Sequence, residues 1–312
     1  MPNKNENNIK LSIAIPTYNR AKYLDKCLKS IYNQKNIDFN EIEVVISDNN
    51  SSDETKFVVD KWKDKFPIFV YKKNSTNIGP TRNIRNALNL ARGNYIWLFG
   101  DDDIFAKDYA IAKILSVTST NKYGFIWTGV KEIGESDKKN KDEFIEVDHI
   151  KLLSMIDSGL ISRCVFQKKA YSLTKKSFLE THLDQFGIIL EIAFKNKSLI
   201  ITDPFVGYRP NNVILPAPRD IPLDYLEILE DFSDIYPDSA IKDFKRRMFW
   251  ELFIFNLAGA KIAKQKKYGE RFVKYYNYKD FPLIMFAYKL IWYVVPREVL
   301  LFLKKIYRSI KP

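Results

Sequence analysis

Short apolar runs alternate with amphipathic ones through the first 130 residues, and that alternation predicts strand, helix, strand, helix. Leu11-Ser12-Ile13-Ala14-Ile15 is β-branched and reads as a first strand, broken by Pro16-Thr17-Tyr18-Asn19. Leu24, Leu28 and Ile31 then recur at helical spacing, with Asn19 placed to cap that helix. Glu41 to Ser47, centred on Val44-Val45-Ile46, is a second strand, ended by Asp48-Asn49-Asn50. Ser51-Ser52-Asp53-Glu54 has the pattern of a capping box opening a helix through Phe57, Val58 and Trp62. Ile68 to Tyr71 is a third strand, followed by Asn77-Ile78-Gly79-Pro80 and a helix through Ala91. Tyr95 to Phe99 is the fourth strand, a helix is expected from near Ala106, and Tyr123 to Val130 is the fifth strand. Such alternation predicts an α/β fold: a right-handed, mostly parallel sheet flanked by helices.

The pattern then loosens. Lys131 to Asp148 is charged and without apolar periodicity, so it reads as a surface excursion or as a lid. Gly159 to Phe166 returns to strand-like character, and Leu199 to Arg209 reads as a closing strand. From Pro222 onward the signals are helical, which predicts a C-terminal helical appendage. Phe281 to Val295 is nearly all apolar around Lys289, yet fifteen residues are too few to span roughly 30 Å of hydrocarbon. Val299 to Arg308 continues as a basic amphipathic stretch. The expected division is a disordered 1–9, an α/β domain over 10–220 and a basic helical region over 221–312.

Charge sharpens this division. Residues 241–312 carry 17 Lys and Arg against 5 Asp and Glu, which accounts for the whole net charge of +12. A negatively charged partner for that quarter follows. The polar first residues lack a secretion signal's apolar core, which places the protein in the cytoplasm. Cys27 and Cys164, without metal-ligand spacing, read as reduced core thiols. Only His149 and His182 exist, so a His-rich metal site is excluded.

The chemistry gathers where the fourth strand ends, at Gly100-Asp101-Asp102-Asp103. Adjacent carboxylates repel, and desolvating them is costly unless a cation offsets the charge. Oxygen-rich sites of this kind suit Mg²⁺ or Mn²⁺, which also hold substrate phosphates. The plainer reading is a solvated acidic turn. Tyr18 with Asn19, then Asp48 with Asn49, then the Asp cluster would share the strand-end edge where α/β proteins bind ligands. No Gly-rich phosphate loop is present, so phosphate charge must be met by a metal and by basic side chains. Arg82 is the nearest such residue, or else a solvated helix position.

Leu11–Asn19 (LSIAIPTYN), Val44–Thr55 (VVISDNNSSDET), Asn77–Asn83 (NIGPTRN) and Gly93–Asp103 (GNYIWLFGDDD), in this order, resemble the nucleotide-binding half of family 2 glycosyltransferases. The resemblance is clear over 10–130 and weak over 150–210. It implies a GT-A fold, with 10–130 as the nucleotide-sugar half and 131–220 as the acceptor half. It also implies a nucleotide-diphosphate sugar donor, Mg²⁺ or Mn²⁺, and inverting transfer. Pro16 and Tyr18 would line the base and ribose pocket, with Asn19 beside them, and Asp48 would contact the nucleoside. Asn49 stands where the family often has a second Asp. Gly100 stands at the first Asp of the Asp-x-Asp-Asp pattern. Asp102 would be the main metal ligand, with Asp101 and Asp103 serving the sugar, the ribose or the metal's waters, and Asp103 a second ligand. Ser162 and Arg163 fall on the acceptor side. Inverting transfer needs a base for the acceptor hydroxyl; Asp184 matches that position, and His182 is the competing base, an extra metal or phosphate ligand, or an ordinary capping or core residue. Arg209 is placed to approach the donor phosphates.

For the tail, aromatics and basic residues around an apolar face suit a helix lying on an anionic membrane. The alternative is helices packed with a solvated basic face. Nucleic acid is set aside, since no recognised binding motif accompanies the charge. The expected activity is therefore transfer of a sugar to a glycan or lipid-linked acceptor in bacterial surface polysaccharide assembly, peripheral at the membrane's inner face. Its rivals are a sugar nucleotidyltransferase, which would want a Gly-rich, Arg-containing loop after the first strand, and a non-catalytic binding module.

Overall fold

In the computed structural model the four N-terminal apolar runs become parallel strands: Leu11–Thr17 (β1), Ile42–Asp48 (β2), Ile68–Lys73 (β3) and Tyr95–Leu98 (β4). They lie side by side in the order β3-β2-β1-β4. The structure describes residues 8–135, 143–156, 161–209, 221–249, 266–276, 279–296 and 299. It divides into two units, Met1–Asn212 and Val213–Pro312.

β1 runs through Pro16 rather than ending before it. It pairs with β2 from Leu11↔Ile42 to Thr17↔Asp48, whereas its ladder with β4 stops at Ala14↔Leu98. The missing N–H of Pro16 faces the side where that ladder has ended, so no bond is lost. Thr17 and Asp48 are thereby neighbours on the C-terminal edge.

Between the strands run helices Ala21–Tyr32 (α1), Thr55–Lys63 (α2) and Pro80–Leu90 (α3). Their caps differ from expectation. Asn19 does not cap α1; Asp53 does, accepting from the Ala21 N–H at 2.9 Å. The other oxygen of Asp53 accepts from the Thr55 N–H at 3.1 Å and the Thr55 hydroxyl at 2.6 Å, so one carboxylate anchors the starts of two helices. The Ser51 hydroxyl instead accepts from the Asn19 N–H. Because α2 starts at Thr55, its buried face is Val58, Val59 and Trp62, and Phe57 is 71% exposed.

No helix begins at Ala106. Ile104–Phe105 (β5) forms a short strand first, its Phe105 ring packing on Trp97 and Phe99 at 4.8 and 4.5 Å, and helix Ala110–Thr118 (α4) follows. Four more strands complete the sheet: Phe125–Glu132 (β6), Phe144–Val147 (β7), Cys164–Gln167 (β8) and Ser198–Tyr208 (β9). The order is β3-β2-β1-β4-β8-β6-β9-β5, with β7 on β9. Beyond β4 the sheet is mixed: β8 is antiparallel to β4 and β6, and β5 and β7 are antiparallel to β9. The parallel expectation thus holds throughout the first half, and beyond β4 only between β6 and β9. β7 escapes periodicity because Phe144 and Glu146 are exposed on an edge strand. It corrects the structureless reading of Lys131 to Asp148, of which 136–142 lie outside the described residues. Gly159 and Leu160 also lie outside them, and Ile161–Arg163 is a helical turn before β8. Helices His149–Met155 (α5), Lys168–Ser172 (α6) and Asp184–Lys195 (α7) complete the unit.

Large side chains fill the core, with Trp97, Trp127, Phe99, Phe125, Phe166 and Phe205 fully buried. Each such burial stabilises by about 1.5–3 kcal/mol. Cys27 and Cys164 are buried free thiols.

The second unit, among its described residues, has helices Ile221–Glu230, Asp238–Met248, Lys266–Tyr275 and Pro282–Lys289, the last running into a π turn at Leu290–Val294. Phe272 stacks on Tyr276 and Tyr288 at 4.6 and 4.9 Å. Ion pairs Arg271–Glu227 and Lys274–Glu230 join the first and third of these helices. No helix of the described residues is long and apolar enough to cross a membrane. Of the stretch from Val299 to Arg308, all but Val299 lies outside the described residues, as do residues 1–7.

Gly129 marks the bulge where β6 changes register against β9. A Cβ there would lie 2.4 Å from the Thr202 carbonyl oxygen. Gly129→Ala should therefore destabilise the protein by about 1–3 kcal/mol in chemical denaturation, and an unchanged midpoint would refute the close approach.

Candidate active site

β4 ends two residues before Gly100, and the chain turns beneath the longer β1, which brings the Asp cluster under Thr17. The Thr17 hydroxyl donates to Asp101 Oδ2 at 2.7 Å. Arg20, just before α1, reaches both Asp101 Oδ1 at 3.2 Å and Asp102 Oδ2 at 2.7 Å. From the far side the Ser162 hydroxyl donates to Asp103 Oδ2 at 2.5 Å and accepts from the Gly100 N–H at 2.7 Å. Trp97 Nε1 holds the Ser162 carbonyl at 2.8 Å. Asp101 and Asp103 are buried, and the Asp102 side chain is 23% exposed. The triplet is therefore a braced cluster, not a solvated bend.

Gly100, a departure from the resemblance, has a physical reason. A Cβ there would sit 3.1 Å from carboxylate oxygens of both Asp102 and Asp103 and 3.2 Å from the Ser162 hydroxyl. An Asp at 100 would add a fourth carboxylate to a place already crowded by two.

Burial, above all, pushes the Asp101 and Asp103 carboxyls up from the ordinary 3.8 to about 7. The neighbouring carboxylates add to the push, and Arg20, Thr17 and Ser162 pull back without cancelling it. For Arg20, burial works against its charge, but Asp101 and Asp102 outweigh it and hold the guanidinium above its ordinary value. The cluster is thus short of positive charge, with hard oxygen donors, and fits a divalent cation on those grounds. Among the described residues, no group of three or more His, Cys, Asp or Glu side chains is arranged to close a metal site.

Along the same edge, Asp48 is fully buried, accepting from the Ser51 N–H at 2.8 Å and the Tyr71 hydroxyl at 2.8 Å. Tyr18 and Asn19 are exposed beside it, and Pro16 is half-buried. Asn19 sits at φ 53°, its side-chain oxygen accepting from the Ser52 N–H at 2.8 Å. Asn49 explains itself: its amide donates to Asn77 Oδ1 at 2.7 Å while its oxygen accepts from the Ile78 N–H at 2.9 Å. An Asp could not donate, and would face the Asn77 oxygen. The carboxamide therefore ties the β3–α3 loop to the end of β2.

With that edge described, comparison with known proteins decides the family. The family model described as Glycosyl transferase family 2 matches residues 12–180. The chain belongs to glycosyl transferase family 2. This family 2 glycosyltransferase is similar to abequosyltransferase RfbV of Salmonella typhimurium, at 48% identity over 100 residues, 31% of this chain and 29% of that relative. It is also similar to the GalNAc(5)-diNAcBac-PP-undecaprenol beta-1,3-glucosyltransferase of Campylobacter jejuni, at 29% identity over 252 residues, 76% of this chain and 78% of that one. Among solved structures, S. aureus TarS in complex with UDP-GlcNAc superposes with a TM-score of 0.68 at 16% identity, covering 96% of this chain and 92% of that one. The mannosyltransferase PcManGT of Pyrobaculum calidifontis, in complex with GDP-Man and Mn²⁺, gives 0.54 at 14% identity, covering 96% and 88%. These likenesses establish the GT-A fold expected from the resemblance.

Ser162 and Arg163, expected on the acceptor side, are both packed into the first unit. Ser162 is fully buried beneath Asp103. Arg163 is buried too, its Nε donating to the Thr128 carbonyl at 2.7 Å and its guanidinium stacked 4.3 Å over Trp127. Both act here as supports. Asp184 opens α7 and is fully buried, gripped by Arg85 Nε and Nη2 at 2.6 Å each and by the Phe178 N–H at 2.8 Å. Removing one partner of such a buried pair costs about 3–5 kcal/mol. Arg82 pairs with Glu180, and the Thr81 hydroxyl donates to the Thr181 carbonyl at 2.8 Å. His182 is half-buried between them and Asp184. α3 therefore clips the 178–184 segment, while its buried Asn83 contacts the Thr17 and Ser47 carbonyls. Arg209 donates to the Asp102 carbonyl at 3.2 Å and lies over Tyr23, so it stands beside the cluster.

Thr17, Arg20, Tyr71 and Arg85 join the site without having been singled out in the sequence. Arg20 had a signal: three adjacent carboxylates need a cation, and it is the first basic residue past the β1 turn. Arg85 had only its four-residue spacing from Thr81.

Without metal, the folded chain binds more protons at Asp101 and Asp103 than the unfolded chain does, between about pH 4 and about pH 7. Their contribution to stability is thus present below that window and lost as pH rises through it. Thermal melting should show this fall, and Mn²⁺ should raise the melting temperature more at about pH 8 than at about pH 5. Asp101→Asn with Asp103→Asn should flatten both responses; an unchanged slope would refute the assignment.

Proposed function

We propose that this chain transfers a sugar from a nucleotide-diphosphate donor to a glycan or lipid-linked acceptor with inversion, in assembly of a bacterial surface polysaccharide. The reaction belongs on the inner side of the cell membrane, with the enzyme peripherally attached. One observation carries the reading: a braced, charge-deficient Asp101-Asp102-Asp103 cluster shares one sheet edge with Thr17, Tyr18 and Asp48. UDP-GlcNAc in the TarS complex and undecaprenol in the name of the Campylobacter relative support the donor and acceptor classes.

In this reading Pro16, Tyr18, Asn19, Asp48 and Asn49 receive the nucleoside, and Asp101 the ribose or sugar. Asp102, the most open of the three carboxylates, and Asp103 would hold Mg²⁺ or Mn²⁺. Such an ion supplies charge neutralisation for the departing diphosphate. Arg82 and Arg209 answer the remaining phosphate charge. Asp184 takes the acceptor hydroxyl proton as that oxygen attacks the anomeric carbon and the bond to the diphosphate breaks. Three donors occupy three of the carboxylate's about four acceptor positions, leaving one on Oδ2 for the hydroxyl. Because Asp184 is sealed, the 178–183 segment must move aside for the acceptor. His182, two residues earlier, is the competing base.

Asp102→Asn should lower donor hydrolysis and transfer by about 10²–10³-fold while circular dichroism stays unchanged. Wild-type turnover in that variant would end the cluster's assignment. Separately, Asp184→Asn should cut transfer by about 10²–10⁴-fold yet leave Mn²⁺-dependent thermal protection by nucleoside diphosphates intact, with His182→Ala near wild type. The reverse ranking would hand the base to His182.

A further inference from the structure

The helix Pro282–Lys289 and its continuation Leu290–Val294 are apolar on two faces, and the second unit uses one. Ile284, Met285 and Tyr288 are buried, with Tyr288 stacked on Phe272. On the other side Leu283 is 74% exposed, Phe286 64%, Leu290 41%, Tyr293 70% and Val294 67%. Their spacing of i, i+3, i+7, i+10 and i+11 puts all five on one stripe. Large apolar side chains gathered this way mark an interaction surface, because soluble surfaces scatter them singly.

We propose that this stripe is a lipid-docking face that seats in the surface of an anionic bilayer. The segment is thirteen residues long, about 20 Å as a helix, so it lies in the surface and does not cross it. The choice of lipid over a protein partner follows from charge. Lys289 is exposed at the edge of the stripe. Protein interface cores are depleted in Lys, whereas membrane-surface helices favour it. In sequence, residues 281–312 carry six Lys and Arg and a single acidic residue, Glu298, which complements anionic headgroups. Tyr293 adds the amphipathic ring that settles at headgroup level. The face deepens the membrane location proposed above and rests on it, but uses none of the residues assigned to the reaction.

Flotation of the full chain with vesicles of phosphatidylglycerol and phosphatidylethanolamine tests it. Wild type should float with these vesicles, bind phosphatidylcholine vesicles less, and lose binding as salt rises. Leu283→Glu with Phe286→Glu should lower the bound fraction at least about tenfold, with melting temperature and donor hydrolysis unchanged. Both positions are exposed, so the fold does not depend on them. Equal flotation of variant and wild type, or no flotation of wild type, overturns the proposal. So does a dimer in light scattering that the same variant dissociates, since a second copy would then be the occupant. Donor hydrolysis is read in the same samples without vesicles, so loss of the docking face and loss of the transferase reading give separate results.

Discussion

Three adjacent carboxylates at the end of one buried strand repel each other, and the extension of β1 and the antiparallel insertion of β8 bring up groups that contain that repulsion. Burial alone drives two of them toward the neutral form. Keeping them in place takes a guanidinium from Arg20, a hydroxyl from Thr17 and a hydroxyl from Ser162, each from a different part of the chain. Thr17 is available only because β1 outlasts β4 by three residues. Ser162 is available only because β8 inserts antiparallel beside β4. Even Gly100 belongs to this constraint, since a side chain there would fill the space the carboxylates share.

A second layer of polar bonds connects this cluster to the rest of the edge. α3 buries Asn83 against the Thr17 and Ser47 carbonyls and the Ser47 hydroxyl, while its other side grips residues 180–184 through Thr81, Arg82 and Arg85. Buried amides and hydroxyls are stabilising only when each finds its partner. Here Asn49, Asn74, Asn77, Asn83 and Asn86 satisfy one another in sequence. The loop before α3 is thereby held at the end of β2. One helix sets the spacing between the two ends of the candidate site.

This division explains what could be read from sequence. Short apolar runs and period-3.6 patterns found β1 to β4 and α1 to α3, because β1, β2 and β4 are buried along nearly their whole length and each helix buries one face. The cluster itself stood out as adjacent charges after an apolar run. What escaped was non-local. Asp53 capping two helices, Ser162 beneath Asp103 and Arg85 on Asp184 each join residues more than 30 positions apart, except for the Thr55 bonds. Nothing in a local window distinguishes them from solvated side chains. β7 escaped for a different reason: an edge strand exposing Phe144 and Glu146 has no apolar alternation to detect. The contact of Arg163 with Trp127, across 36 positions, is likewise invisible in a local window.

Asp102 and Asp184 show why residue type alone does not assign roles. Both are carboxylates paired with an arginine. The Asp102 side chain keeps 23% of its surface open, and Arg20 meets one of its oxygens. Asp184 has no exposed surface, and Arg85 covers both of its oxygens in the bidentate geometry that fixes orientation most firmly. An ion ligand must exchange solvent for metal and phosphate, which calls for an open oxygen. A base must hold one orientation and stay dry until the acceptor arrives. The two carboxylates therefore differ in their surroundings, Asp102 keeping exposed surface and Asp184 none, and it is on that difference that the proposed roles rest.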